Sequence, residues 1–182
     1  MNNTKSIFTA ILLAGAAFTS SMATAAVDVS HAPSTISFLD GTRDYGASFG
    51  AGHAGATFAD QYTFTLGGSN KLNTLVSSIS DTAAVGLDIT GFSLKDSSGL
   101  AFDGVRQLNG EIDLWKLNVS NLVSDTYTLT VFGTINSKFS GSYSGNINVT
   151  AVPEPETYAM LIAGLGLVGF MARRRKVVAA KA

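Results

Sequence analysis

The sequence of 182 residues contains no cysteine. Neither a disulfide framework nor a thiol nucleophile is therefore available, and the stability of the folded chain has to come from packing alone. Histidine is almost as scarce, since the chain has only His31 and His53. This leaves few candidates for a general base or a metal ligand.

Basic residues are also few in the middle of the chain. Between residues 26 and 152 there are eleven acidic and six basic residues, and the basic ones form no cluster. Because nucleic-acid phosphates are bound by grouped lysines and arginines, this composition argues against a nucleic-acid partner.

The C-terminal region combines three features in order. Pro153, Glu154 and Pro155 come first, and two prolines so close together favour an extended, exposed backbone. An uncharged run of fourteen residues follows at 159–172, and it ends in four basic residues: Arg173, Arg174, Arg175 and Lys176. As a helix the run extends roughly 21 Å, short of the ~30 Å hydrocarbon core. The basic cluster nevertheless predicts a short transmembrane helix whose basic end and tail, residues 177–182, lie in the cytoplasm.

This order of features resembles the PEP-CTERM sorting signal of Gram-negative bacteria, and the resemblance covers residues 153–176. It implies that Pro153, Glu154 and Pro155 form the recognition site of an exosortase, a membrane-embedded transpeptidase-like protease. The enzyme would remove the C-terminal segment and release the protein from an inner-membrane intermediate toward the cell surface. A plain single-pass anchor with a proline-containing stalk is the alternative.

The N-terminus has the organisation of a secretory signal peptide. Lys5 provides the positive charge, residues 7–18 are apolar, and Ala23 and Ala25 form a small-residue cleavage site. We therefore expect the Sec machinery and signal peptidase to process residues 1–25, which leaves residues 26–152 as one domain outside the cytoplasm.

The segment between these two signals has the pattern of a β protein. Apolar and polar residues alternate at 125–131 and 143–151, which is typical of antiparallel strands with one solvated face. Residues 72–79 have a helix-like spacing, but the surrounding serines and threonines favour a strand. We predict an all-β, antiparallel β-sandwich of the jelly-roll type, with a closed barrel as the alternative.

Two details of this pattern make local predictions. The apolar positions change parity after Ile89, which predicts a β-bulge near Thr90 and Gly91. Residues 111–119 carry apolar side chains on both faces, which predicts a central strand covered on both sides.

The most distinctive stretch is residues 57–66, where Phe58, Asp60, Tyr62 and Phe64 share one face of a strand. A carboxylate in an aromatic row needs partners, so Asp60 should accept hydrogen bonds from loop amides, pair with a cation such as Arg43, or lie at the sheet rim. A ligand or metal contact is the alternative. The stretch resembles the FxDxF family of PEP-CTERM proteins, although Tyr62 stands in the place of the second phenylalanine. The resemblance implies no activity.

The other motifs that could indicate a cofactor or metal site are weak matches. Gly50, Gly52 and Gly55 match G-x-G-x-x-G, but a strand follows them, which favours a loop over a dinucleotide site. The two histidines with Asp40 or Asp44 lack zinc-ligand spacing. The Asp and Gly rich stretches at 96–99 and 103–104 lack the EF-hand pattern and are better explained as turns. The sequence predicts no metal and no cofactor.

The sequence therefore predicts a non-enzymatic exported protein with a structural or adhesive role in exopolysaccharide or biofilm. Its expected location is the cell surface, the outer membrane or the extracellular matrix. The alternative is a carbohydrate-binding module for exopolysaccharide, with Tyr45, Tyr62 or Trp115 stacking on sugars. A hydrolase that uses His31 or His53 is a third hypothesis.

Overall fold

The computed structural model describes residues 26–82, 85–153 and 155–179. The predicted signal peptide, with Ala23 and Ala25, lies outside the described residues, and so does Glu154. The described part contains ten strands and one helix: β1 (Ser34–Thr35), β2 (Thr42–Phe49), β3 (Thr57–Leu66), β4 (Asn70–Ile79), β5 (Leu87–Lys95), β6 (Ala101–Asp103), β7 (Val105–Leu108), β8 (Ile112–Leu122), β9 (Asp125–Ile135), β10 (Gly141–Ala151) and α1 (Pro155–Ala179).

The strands form two five-stranded sheets, ordered β1-β3-β9-β5-β6 and β2-β10-β4-β8-β7. All neighbours are antiparallel except β1 and β3. The pairing is nested, because β2 pairs with β10, β3 with β9, and β4 with β8. A long hairpin rolled over two sheets has this connectivity, which is the arrangement of a jelly roll. The predicted all-β sandwich is confirmed.

The core lies between the sheets and follows the alternation of the sequence. On β9 the inward residues Tyr127, Leu129 and Val131 are buried, as the period of two predicts. Residues 70–79 form a strand rather than a helix. Leu72 and Val76 lie in the core, while Leu75 and Ile79 point outward.

The two local predictions have different outcomes. The register of β5 against β9 shifts between Ile89 and Gly91, so the predicted bulge is present. The prediction that residues 111–119 are covered on both faces is wrong. Strand β8 is flanked by β4 and β7, but Ile112 on its outer face is exposed, because no other described element packs on that side.

The C-terminal run forms the predicted helix, α1, and its described apolar side chains are exposed. No helix in the described parts of the chain is long and apolar enough to cross a membrane. This finding corrects the transmembrane assignment. The uncharged run of fourteen residues gives only roughly 21 Å of helix.

Candidate functional site

The aromatic row of β3 lies on the inner face of its sheet. Strand alternation buries Phe58, Asp60, Tyr62 and Phe64 together, and only 2% of Asp60 is exposed. A carboxylate at this depth is costly unless hydrogen bonds replace its hydration.

Asp60 obtains these hydrogen bonds from two other parts of the chain. The backbone amide of His31 donates to Oδ1 at 2.7 Å, and the Tyr143 hydroxyl of β10 donates to Oδ2 at 2.6 Å. The imidazole Nδ1 of His31 lies 3.2 Å from Oδ2. The predicted loop-amide bond is therefore present. The alternative partner, Arg43, is wrong, because the carboxylate is already occupied by His31 and Tyr143.

The two tyrosines extend this network toward the opposite sheet. The Tyr62 and Tyr143 hydroxyl oxygens are 2.8 Å apart. Because the Tyr143 hydroxyl donates its hydrogen bond to Asp60, the Tyr62 hydroxyl has to be the donor in this second bond. Burial raises the pKa of Tyr143, and its hydrogen bond to the Asp60 carboxylate raises it further. Burial likewise raises the pKa of Tyr62, so both hydroxyls remain protonated donors.

Aromatic rings pack around the network on both sheets. Phe58 stacks on Tyr143 with ring centroids 5.5 Å apart and an interplanar angle of 4°. Phe49 lies 4.6 Å from Phe58 and 4.9 Å from the His31 ring. These rings keep water from the carboxylate, which strengthens its hydrogen bonds.

The site therefore joins the segment before β1, strand β3, and strand β10 of the opposite sheet. A surface depression of about 310 Å³ opens onto the site, and its lining includes Asp60 and Tyr62 as well as His31, Gly46 and Gln61. The side chain of His31, which lies at the edge of this depression, is 49% exposed.

The contacts of the site are made with other parts of the same chain. The ring contacts of His31 are with Asp60 and Phe49, and no serine hydroxyl approaches it among the described residues. No group of three or more possible metal ligands occurs in that same part of the chain. Asp60 thus acts as a tether between elements.

The other predicted site residues are spread along the C-terminus. Pro153 is exposed, directly after β10, and Pro155 begins α1. Glu154 lies outside the described residues. Arg173, Arg174, Arg175 and Lys176 belong to the helical range of α1.

Two of the three aromatic residues predicted to stack on sugars lie in the core. Tyr45 and Tyr62 are buried, since each belongs to the core between the sheets. Trp115 is half-buried, and the Arg106 guanidinium covers its ring at 4.9 Å. The prediction that Tyr45 and Tyr62 stack on sugars is wrong, because both rings are buried. Stacking of a sugar on Trp115 stays a prediction.

Sequence reasoning missed the two partners that complete the site. The sequence suggests His31 only as a hydrolase base or a zinc ligand, and it places Tyr143 only in the alternating stretch 143–151. They lie 29 and 83 positions from Asp60. The only available signal was general: a buried carboxylate has to find donors.

The fold defines a class of protein: a two-sheet β-sandwich that continues through a proline-containing segment into an exposed apolar helix. Residues 151–176 match the PEP-CTERM protein-sorting motif, so the predicted sorting signal is confirmed. The motif supports an exported protein that an exosortase sorts to the cell envelope. The FxDxF resemblance stays a prediction.

Several solved structures share a distant likeness with the chain. A periplasmic inhibitor of g-type lysozyme, PliG from Aeromonas hydrophila, is 14% identical over 68% of this chain and 100% of its own, with a TM-score of 0.41. PliG from Salmonella Typhimurium is 19% identical over 65% and 98%, with a TM-score of 0.37. The pre-peptidase C-terminal domain of a Bacillus anthracis collagenase is 18% identical over 65% and 95%, also with a TM-score of 0.37. No curated protein matches the chain.

Proposed function

We propose that this chain is a non-enzymatic exported protein with a structural or adhesive role at the cell surface or in the extracellular polysaccharide matrix. The observation that carries the proposal is the sorting motif at residues 151–176, which follows an all-strand body directly. Sorting delivers the body to the envelope, and the body then supplies the function.

The geometry of the junction supports separate roles for body and signal. The last backbone contact of the sandwich is from the Val152 amide to the Ser69 carbonyl, at 2.9 Å. Pro153 is already exposed, and α1 begins two residues later. A protease cleft needs such an accessible backbone, so cleavage here would leave the sheets intact.

The interior of the body supports a structural role. The partly exposed His31 and the buried Asp60 form a tether, because Asp60 accepts hydrogen bonds from His31 and Tyr143. Only 2% of Asp60 is exposed, and both of its carboxylate oxygens accept hydrogen bonds from within the chain.

The sorting half of the proposal is tested by fractionating cells that express the chain with an epitope tag in the exposed loop 50–55. In wild-type cells we expect a tagged product that has lost its C-terminal peptide and lies in the outer envelope or the medium. In an exosortase deletion strain the chain should keep its C-terminal peptide and should not reach the outer envelope or the medium. Intact, soluble protein in the cytosol would contradict the proposal.

A matched pair of variants sharpens this experiment. Glu154→Ala alters the proposed recognition site and should reduce cleavage at least as strongly as it reduces surface delivery. Glu111→Ala, which changes an exposed glutamate between β7 and β8, should be processed like wild type. Equal processing of the two variants would remove Glu154 from the recognition site.

The structural half is tested separately, in a strain that lacks the gene. Its matrix should be weaker or less cohesive, and the wild-type chain should restore it. The Asp60→Asn variant should restore it only to the extent that folded protein accumulates. Full rescue by an unfolded variant would argue against a role for the sandwich.

A further inference from the structure

A second depression lies at one end of the sandwich, away from the Asp60 tether. It has a volume of about 300 Å³, at the lower end of the range of small-molecule sites. We call it the serine pocket, and its described lining includes Ser48, Ser80, Ser137, Ser140, Ser142 and Phe139. These residues come from the end of β2, the segment after β4, the β9–β10 connection and the start of β10.

The hydroxyl groups of the pocket differ in how far they are already engaged. Ser137 accepts the Phe139 amide at 2.9 Å, and Ser80 donates to the Leu87 carbonyl at 3.5 Å. The hydroxyls of Ser48, Ser140 and Ser142 are exposed and have no hydrogen bond within the parts of the chain that the structure describes. Three free groups, each a donor and an acceptor, therefore converge on one depression.

Two apolar side chains stand beside these hydroxyls. Phe139 is 74% exposed and Ile79 is 79% exposed, and both line the pocket. A ring and a branched aliphatic chain left in water next to free hydroxyls form a mixed surface, with an apolar face and a polar floor. Such a surface fits a ligand that has both kinds of face itself.

The charge of the lining narrows the class of ligand. Asp81 is the one ionisable side chain among the described lining residues, and no lysine or arginine accompanies it. An anion would meet a carboxylate without a counter-charge, whereas a neutral hydroxyl can donate to that carboxylate.

The backbone holds the pocket open. Gly86 has a φ of 121°, and a Cβ at this position would collide with the Ser80 side chain. Gly141 packs against Leu87 in the same wall. Because neither glycine has a side chain, the backbone itself forms this part of the pocket wall, and the depression stays free of side-chain bulk.

We propose that the serine pocket binds a neutral saccharide, with the apolar face of one sugar ring against Phe139 and Ile79 and its hydroxyls bonded to Ser48, Ser140, Ser142 and Asp81. The proposal goes beyond envelope sorting and does not depend on it. It places the sugar at a different site from Tyr45, Tyr62 and Trp115.

The test is a titration of the purified full chain in a sugar-free zwitterionic detergent, followed by amide chemical shifts. The probes are the neutral oligosaccharides cellotetraose, maltotetraose and mannotetraose, with tetragalacturonate as the acidic comparison. At least one neutral probe should give saturable shifts at Gly86, Phe139 and Gly141, and tetragalacturonate should bind more weakly. The absence of saturable shifts with all three neutral probes at millimolar concentration would overturn the proposal.

Variants assign the binding to this pocket. Phe139→Ala should weaken the affinity by about tenfold, a loss of about 1.4 kcal/mol. Leu39→Ala is the control, because Leu39 is 76% exposed and precedes the opposite end of β2. Equal effects of the two variants would contradict the proposal, as would unchanged binding after Phe139→Ala. Asp81→Asn should narrow the difference between neutral and acidic probes, and an unchanged difference would remove Asp81 from the site.

Discussion

The tyrosine at position 62 supports the hydrogen bond by which Tyr143 holds the Asp60 carboxylate in the core. A phenylalanine there would pack equally well but could not donate to Tyr143. The hydroxyl at position 62 bonds to the Tyr143 oxygen at 2.8 Å, and Tyr143 in turn bonds to Asp60 at 2.6 Å. The departure from the FxDxF pattern therefore adds a hydrogen bond that links the two sheets.

Replacing Asp60 should expose the strength of this tether. Asp60→Asn keeps one acceptor but points an amide group at the donors from His31 or Tyr143, so we expect the free energy of unfolding to fall by about 2–3 kcal/mol. Urea denaturation followed by tyrosine and tryptophan fluorescence measures the change. Asp44→Asn is the control, because Asp44 bonds Asn146 at the exposed edge of β2 and should change stability by less than about 0.5 kcal/mol. Equal losses in both variants would refute a special role for Asp60.

Two glycines leave room for an aromatic ring of the neighbouring strand. Gly145 faces Tyr45 across the β2–β10 pair, and Gly133 faces Phe58 across the β3–β9 pair. A Cβ at Gly145 would collide with the Tyr45 ring and the Leu75 carbonyl. The ring thus lies over the glycine backbone in the middle of a strand, where a side chain would otherwise stand.

Gly145→Ala should therefore destabilise the protein through overpacking, by about 1–3 kcal/mol. Gly67→Ala is the matched control, since a Cβ at Gly67 meets nothing within 4 Å, and its effect should stay within about 0.5 kcal/mol. Thermal unfolding by circular dichroism gives both values. A Gly145→Ala variant as stable as wild type would show that Tyr45 can move aside without cost.

At the scale of elements, β5 has an edge that no strand covers along its first half. Strand β6 pairs only with residues 93–95 of β5, so the peptide groups of Ile89 have no strand partner on that side. Side chains take their place. The Asp113 carboxylate accepts the Ile89 amide at 3.1 Å, while Trp115 and Arg106 both donate to the Ile89 carbonyl at 2.9 Å.

Near this edge of β5, the carboxyl groups of Asp88 and Asp113 lie close together. The sign of their effect on stability as the pH changes follows from the pKa of Asp88. Burial, and then the neighbouring Asp113 carboxyl, raises the pKa of Asp88 above its ordinary value of 3.8, although Arg106 and Asn136 oppose the shift. Asp88 therefore binds its proton more tightly in the folded chain than in the unfolded chain. Its contribution to stability is complete below pH 3.8 and is lost as the pH rises through the raised pKa.

Asp88→Asn should consequently increase the free energy of unfolding at neutral pH, because the variant has no charge to repel Asp113. It should also flatten the decline of stability above pH 3.8. Urea unfolding across a pH series measures both effects. Asp125→Asn is a control of opposite sign, since the Ser97 hydroxyl lowers the pKa of Asp125 and its contribution is lost as the pH falls. A loss of stability in Asp88→Asn at neutral pH would contradict the assignment.

The elements could largely be predicted from the sequence, whereas the contacts between them could not. Alternation on β3 and β9 and the parity change after Ile89 are local, and each appears in the structure where the pattern indicates it. The partners of Asp60, and the side chains that cover Ile89, depend on which strands the nested pairing brings together. Residues 111–119 misled the prediction because an apolar outer face does not reveal whether another layer covers it. Tyr45 and Tyr62 misled it because an aromatic residue is equally suited to a core and to a binding surface.

At the scale of the whole molecule, a sandwich of two open sheets has two sides along which the core could meet water. On one side, Asp60 of β3 reaches Tyr143 of the opposite sheet. On the other, Asp113 of β8 reaches the Ile89 amide of the opposite sheet. Each side is thus closed by a buried aspartate that crosses between the sheets, and the chain achieves this without a cysteine.

If the two closures act independently, double-mutant cycles should separate them. Asp60→Asn removes an acceptor on the first side, and Trp115→Phe removes one of the two side-chain donors to the Ile89 carbonyl on the second. These residues share no hydrogen-bond partner in the described structure, so their effects on the free energy of unfolding should add within about 0.5 kcal/mol. Asp60→Asn with Tyr143→Phe is the contrasting cycle, because the two residues share one hydrogen bond and should show a coupling of about 0.5–3 kcal/mol. Additivity in both cycles would mean that the Tyr143 bond contributes nothing. Coupling in both would mean that the sheets transmit strain from one side to the other and unfold as one closed unit.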